Sequence, residues 1–473
     1  MNPTLIAKNL FFLLLVLPAS VYALAGDQAN EIDRFMTALH ERGQFNGSII
    51  VAVDVKAIYR KAFGDADFQS HRKFTPTTVS CIGSVSKQFT AMTVMMLAEQ
   101  NKIKYDDEVS KYIPELSRSL NGITLRRLLH HTSGIPDVGD LGIDHPGLTN
   151  DEVLQRLSKP DCRVSKPGEK YRYSNANYIL LSVVVKRVSG QHFVDFVADR
   201  IFKPLGMQST FWALGQPRDP NSVARAYDQF GNASGYDSPT TTGDGGIFST
   251  VDDLLKWDQA LYTERLVRQP TLAEAFTAGQ VSKGVSTYGF GWNVRDLDGR
   301  KFVWHTGSVG GYRGFIARRL PDKIAIIILS NKGNSKRQEI AEAILNILDG
   351  KPYVFPKRSI AEAMYETINK RGIQAAIKTY ESVRAANDIT YDLGEPELNS
   401  LGYQLLSNRK TCDAIEIFKL NTVAYPKSSN PFDSLAEAYQ VSGNKELAIK
   451  NYRKAVELDP TNLHAVEMLK KLQ

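Results

Sequence analysis

The sequence predicts an α/β (α+β) body built on an antiparallel sheet, followed by a second domain that is an α-solenoid of paired helices. Three observations carry this. Runs of β-branched residues, Ile49 to Val53 early and Ile324 to Ser330 late, bracket long helical runs. One of those runs, Phe89 to Ala98, is apolar on nearly every side, as a helix at a domain centre is. After residue 358 the chain resembles itself at an offset of 34 residues, as in Pro460 minus Pro426.

Length and composition set the frame. A chain of 473 residues is expected to hold two or three domains, and 42% hydrophobic with 23% charged residues describes a soluble protein with ample core. The net charge is +7, from 58 basic and 51 acidic side chains, and the basic residues are scattered rather than gathered in a stripe. That pattern argues against nucleic acid as a partner. Lys8, the apolar run Leu10 to Leu17, and the small residues Ala23 and Ala25 read as a secretory signal peptide over 1–25. Export to the periplasm or outside the cell is therefore expected, with no stable membrane anchor after cleavage. Cys81, Cys162 and Cys412 lie too far apart in the predicted organisation to form a disulfide framework, and none has histidines at metal spacing. No metal or cofactor is expected.

Residues 29–42 form a predicted helix with Ile32, Phe35, Met36 and Leu39 on one stripe. Asn46-Gly47 turns into a strand, with Ala57 to Phe63 as its hairpin partner. Gly83 and Ser84 then open the apolar helix. A serine there is ordinarily a cap. Lys87 makes that reading incomplete, because it lies one turn along the same face and a lysine entering an apolar helix must be used or paired. Ser84-x-x-Lys87 is thus a candidate activated nucleophile, favoured by the helix N-terminus and by an amine able to take the proton.

Ile123 to Asp137 reads as a short capped helix running into a Gly/Pro turn, and its His130 and His131 are read as buried structural residues. Tyr171 to Tyr173 are expected to be extended and Asn175 to Val188 helical, which places Tyr173-Ser174-Asn175 on a tight loop where side chains can enter a cleft. A phenol beside a lysine can serve as general base. Gly243 to Trp257 predicts a flexible turn and a helix capped by Ser249 or Thr250. Tyr288 to Trp292, Phe302 to Tyr312, Phe315 to Arg318 and Ile324 to Ser330 are read as sheet strands, with glycines at 307, 310 and 311 admitting a ligand or another backbone.

Ser84-x-x-Lys87, Tyr173-x-Asn175 and His305-Thr306-Gly307, in that order, resemble the motifs of the serine β-lactamase and penicillin-binding-protein family. The nearest subgroup is that of class C β-lactamases, D-alanyl-D-alanine carboxypeptidases and related esterases. Leu128 to Pro136, Pro167 to Asn175 and Gly245 to Thr250 are similar to that subgroup too, and the resemblance spans about residues 30–350. It implies an antiparallel sheet flanked by helices plus an all-helical domain, and a serine hydrolase working through an acyl-enzyme. By the resemblance Ser84 is the nucleophile, Lys87 and Tyr173 move its proton, and Asn175 orients Lys87 and the substrate. His305, Thr306, Gly307 and Ser308 line the substrate, and the backbone N–H groups of Ser84 and Ser308 form an oxyanion hole. Small peptides, amides or esters are the implied substrates, D-amino-acid peptides above all, with carboxylesterase or weak β-lactamase activity as alternatives. His305 stands where β-lactamases of this group carry a lysine, so a fixed cation is lost and efficient penicillin hydrolysis is not expected.

Lys351 to Arg358 is a proline-marked linker, which sets the expected boundaries at 26–350 for the hydrolase domain, 351–358 for the linker and 359–473 for the repeats. Phe432, Leu435, Ala436, Tyr439, Ala448, Tyr452, Ala455 and Pro460 resemble the tetratricopeptide pattern. Leu398, Leu401, Gly402, Leu405, Ala414, Phe418 and Pro426 form an earlier copy, Ala376 and Tyr380 mark a third pair out of register, and 462–473 is a capping helix. Such a module can bind a protein or peptide partner, or can equally pack on the hydrolase domain and do nothing more. A rival of another class is a non-catalytic penicillin-binding or scaffold protein working through its repeats, but that rival needs a disabled motif, and Ser84, Lys87, Tyr173 and Asn175 are all present.

Overall fold

The computed structural model describes residues 19–116, 119–159, 162–213, 221–234 and 240–472. They divide into two compact units: residues up to 226 with 235–353, and residues 227–234 with 354–473. Most of the expected signal peptide, residues 1–18, lies outside the described residues. The first helix, Ala19–Glu41, begins upstream of the predicted start and runs through the expected cleavage point after Ala25. Ile32, Phe35, Met36 and Leu39 are fully buried, as their stripe predicts.

The first unit is organised on a six-stranded antiparallel sheet. Its strands are β1 (Gly47–Val53), β2 (Lys56–Phe63), β3 (Asn293–Leu297), β4 (Arg300–Val309), β5 (Tyr312–Arg319) and β6 (Ile324–Ser330), in the spatial order β2-β1-β6-β5-β4-β3. The sheet joins the two ends of the unit, because β1 pairs with β6 from Gly47↔Ser330 to Ala52↔Ala325. Every residue of β6 is buried, which matches its unbroken apolar run and its central place.

The Lys87–Glu99 helix is buried at every position from Lys87 to Leu97, and it packs against the Asn175–Ser189 helix. Thr124 caps the short helix Leu125–Leu129 by accepting from Arg127 N, and Thr250 caps Val251–Ala260 by accepting from Asp253 N. One strand assignment is corrected. Tyr288 to Trp292 is not a strand, and β3 starts only at Asn293. The glycines explain it: Gly291 has φ +77°, and a Cβ there would meet Gln88 Cα at 2.9 Å. The segment is shaped for close backbone approach to the central helix instead of ladder pairing.

The second unit is helical. Its helices are Ile360–Arg371, Ile373–Ala385, Glu395–Ser407, Thr411–Ala424, Ser429–Val441, Lys445–Leu458 and Leu463–Leu472. The starts at Glu395 and Ser429, and at Thr411 and Lys445, are each 34 residues apart, the spacing of the sequence repeat. Gly402 is needed there, since a Cβ would lie 2.4 Å from the ring of buried Phe418. Ala376 and Tyr380 are buried in the helix pair that precedes these. None of the three cysteines is in a disulfide.

Candidate active site

Ser84 stands in a single 3-10 turn, Gly83–Ser86, that leads directly into the Lys87–Glu99 helix. Its hydroxyl makes no cap; it accepts a hydrogen bond from Lys87 Nζ at 3.2 Å. Lys87 also donates to Asn175 Oδ1 at 2.7 Å and to the carbonyl oxygen of Asp244 at 2.7 Å. An ammonium has three protons, and these three acceptors use them all. The side chain is completely buried, and desolvation pulls its pKa down to about 8 against the opposing fields of Asp244 and Asp137. Near neutrality a useful fraction of Lys87 is therefore free amine, 3.2 Å from the hydroxyl it would deprotonate.

Tyr173 lies over the same group, with Lys87 Nζ 5.0 Å from its ring centroid. Burial drives its phenol well above the usual range; Ser84 is the neighbour that favours the phenolate, but the contact falls short of hydrogen-bond geometry, and Oη is buried without a partner. The phenol is thus held protonated in the resting site.

Asn175 opens the helix Asn175–Ser189, and its position is set by a residue the motif does not include. Asp137 accepts from Asn175 N at 2.7 Å and from Asn175 Nδ2 at 3.2 Å, which turns Asn175 Oδ1 toward Lys87. His130 bonds Tyr288 O through Nδ1 at 2.8 Å, a structural role. His131 sits at φ +56°, and its Nδ1 accepts from Ser174 N at 3.2 Å. A backbone N–H can only donate, so the His131 proton is on Nε2. Burial and the Lys87 charge keep this imidazole neutral, and its ring lies 4.3 Å from that of Tyr173.

Glycine brings β4 to the nucleophile. A Cβ on Gly307 would lie 1.8 Å from Ile82 O and 3.1 Å from Ser84 N, and one on Gly83 would lie 2.8 Å from Ser308 N. The backbones at Ser84 and Ser308 are therefore in close contact, the arrangement two converging oxyanion donors require. Gly307 admits another backbone here, not a ligand. Beyond Trp304, β4 has no β3 partner, so its edge at Thr306 and Ser308 is open.

His305 differs from the expectation of a substrate-lining side chain. It is 2% exposed and both ring nitrogens are committed. Nδ1 faces Thr306 O at 2.6 Å and must donate, so Nε2 accepts from Tyr288 Oη at 2.8 Å. Burial and the Lys87 charge push its pKa down to about 3, and the ring is neutral. Two cations stand at this strand end: Arg313, paired with Ser308 across the ladder, and Arg337, which donates to Gly314 O at 2.9 Å, to Gly307 O, and to the exposed Ser308 Oγ at 3.2 Å.

Among the described residues the structure thus brings Ser84, Lys87, Tyr173 and Asn175 together, with Gly307 and Ser308 beside them. Thr306 is on the open edge and His305 is turned inward. Asp137, Asp244, Tyr288 and Arg337 carry no motif signal and were not foreseen. Asp137, Asp244 and Tyr288 do lie inside stretches that stand out in the sequence.

Known proteins share this architecture. The family model described as Beta-lactamase matches residues 32–349. Penicillin-binding protein 4* of Bacillus subtilis (strain 168) is 29% identical over 356 residues, covering 70% of this chain and 78% of that protein. The octameric penicillin-binding protein homologue from Pyrococcus abyssi superposes with a TM-score of 0.62 at 29% identity, covering 68% of this chain and 77% of that one. A class C beta-lactamase gives a TM-score of 0.60 at 21% identity over 70% of this chain and 97% of its own, a likeness of fold.

Proposed function

From the premise that this chain belongs to the beta-lactamase family, we propose that it is an exported serine hydrolase that forms an acyl-enzyme at Ser84 and acts on amide or ester bonds, D-amino-acid peptides foremost. The observation that carries the reading is the bond from the buried, easily neutralised Lys87 to Ser84 Oγ. Neutral Lys87 takes the hydroxyl proton as Oγ attacks the carbonyl carbon. The backbone N–H groups of Ser84 and Ser308 receive the developing oxyanion, each worth on the order of 3 kcal/mol in such a site. As the carbon–nitrogen or carbon–oxygen bond breaks, Tyr173 protonates the departing amine or alcohol and regains a proton from Lys87. Water then enters by the same relay and releases the acid.

The neutral His305 favours peptidase or esterase work over efficient penicillin hydrolysis, and the name of the Bacillus relative supports a site that penicillin can acylate. We read the helical unit as tetratricopeptide-type repeats that engage a peptide or protein partner, on the strength of the 34-residue spacing. The scaffold alternative has against it a complete set of catalytic groups.

The test is intact-mass spectrometry of the protein after a fluorescent penicillin and, separately, a fluorophosphonate, beside Ser84→Ala. Adducts with both that vanish in the variant are expected, the penicillin one lost slowly. A fluorophosphonate adduct alone favours the esterase, and no adduct on folded protein removes the catalytic reading.

A further inference from the structure

His131 is a fully buried imidazole that the mechanism above does not use, and two of its features are unfavourable in a residue that only fills space. Its backbone is left-handed at φ +56°, which is uncommon for any residue with a side chain. Its Nε2 is buried with no hydrogen-bond partner. Because Nδ1 accepts from Ser174 N at 3.2 Å, the proton sits on Nε2, so the partnerless atom is a donor. An orphaned buried donor and a strained backbone persist together only where the surroundings hold them.

Those surroundings are the segment that carries Tyr173. The His131 carbonyl oxygen accepts from Arg172 N at 2.8 Å and its Nδ1 from Ser174 N, so both neighbours of Tyr173 in the chain are bonded to one histidine. Asn177 Nδ2 donates to the same Nδ1 at 3.1 Å, and Ser133 Oγ sets that amide's direction by donating to Asn177 Oδ1 at 2.6 Å. The ring backs the phenol, with centroids 4.3 Å apart and planes tilted by 36°. Tyr173 Oη has no partner of its own. A phenol with an untied hydroxyl is aimed by its ring and its backbone, and His131 touches both.

Resting on the acyl-enzyme reading, we infer that His131 is the positioning residue for Tyr173: it fixes where the phenol hydroxyl meets the departing group, and it takes no proton itself. An asparagine would suit the left-handed backbone and keep an acceptor, and a phenylalanine would keep a ring; histidine offers acceptor and ring from one position. A proton on Nδ1 would break the bonds from Ser174 and Asn177, and burial together with the Lys87 charge opposes it. The nucleophile is held separately. Lys87 bonds Ser84, Asn175 and the Asp244 carbonyl, and Asn175 is fixed by Asp137.

The experiment sets His131→Asn beside the wild type, with three readouts of acylation. They are fluorophosphonate labelling of Ser84 and kcat/KM for the p-nitrophenyl and ethyl esters of benzyloxycarbonyl-D-alanine. Fluoride and p-nitrophenolate depart without a proton, whereas ethoxide has to receive one. The variant is expected to keep the first two rates within about threefold and to lose on the order of 10²-fold on the ethyl ester, the effect of a displaced acid. A histidine that only fills the core would slow all three alike, so an equal loss overturns the inference, and so does an ethyl-ester rate that falls no further than the other two. Wild type that labels but hydrolyses neither ester overturns it as well, since Tyr173 then serves no departing group. A measurement on the wild type stands even if the variant does not fold: in its 15N spectrum His131 is expected to show an unprotonated Nδ1 and a protonated Nε2 between about pH 5 and 8. A ring that titrates in that range, or carries its proton on Nδ1, overturns the inference. Failure of Ser84 to label in the wild type is a different result: it removes the acyl-enzyme reading on which the inference rests.

Discussion

At the scale of single residues, this site is governed by which groups burial neutralises. Lys87, Tyr173 and His305 are neighbours, and desolvation holds all three toward their uncharged forms. The consequence for pH has a definite sign. The base is Lys87 without its proton, so kcat/KM should climb with pH, close to tenfold per unit at first, and level off above about 8. His305 contributes no limb near neutrality, because its pKa of about 3 leaves it uncharged throughout that range. Asp137 raises the Lys87 pKa, so Asp137→Asn should move the rising limb to lower pH. It should also reduce kcat, since Asp137 aims Asn175 at Lys87 through two hydrogen bonds. A pH–rate profile of the variant reads both effects, and a limb that stays in place would show that Asp137 acts only on structure.

At the scale of elements, the nucleophile is positioned by close contact of backbones. The turn Gly83–Ser86 is pressed on β4, and the contact tolerates no side chain at 83 or 307. Gly307→Ala places a methyl 1.8 Å from Ile82 O, a rigid backbone atom that must move. The expected result is a protein that keeps its far-UV circular dichroism, loses several degrees of Tm and labels with fluorophosphonate at a small fraction of the normal rate. Unimpaired labelling would mean that β4 does not set the oxyanion geometry. His305, two residues before Gly307 and so on the same face of the strand, shows the same economy: its ring is fixed by Thr306 and Tyr288, and the loop before β3 is bent by glycines to bring Tyr288 there.

At the scale of the whole molecule, the two units have separate cores. Leu401 is fully buried in the helical one, among residues such as Ala376, Leu405 and Phe418. Leu401→Ala is expected to cost about 2–5 kcal/mol in that unit. Calorimetry should resolve this as a lowered transition for the helical unit while the rate of Ser84 labelling is unchanged at temperatures below it. Equal shifts of all transitions would show that the units unfold as one. The repeat spacing was readable because each helix pair reproduces the same buried positions, Leu401 with Leu435 and Ala414 with Ala448. A register of this kind needs only local contacts to show itself in a chain.

Short-range chemistry made much of the rest legible as well. A serine and a lysine three apart on a helix meet by helical geometry alone, and apolar runs, caps and glycine turns announce the elements that carry them. The bend at Tyr288 to Trp292 was misread because aromatic and glycine residues at alternate positions look like a strand until the partner backbone at Gln88 is known. Asp137, Asp244 and Arg337 had no spacing to betray them, since they come from segments far from the motifs they touch: Asp137 reaches Asn175, the Asp244 carbonyl reaches Lys87, and Arg337 reaches Gly307 and Ser308. The protonation of Lys87 and His305 belongs to the same class. Charge state depends on how much water the folded chain excludes around a group, and exclusion of water is a property of packing in three dimensions that no local run of residues contains.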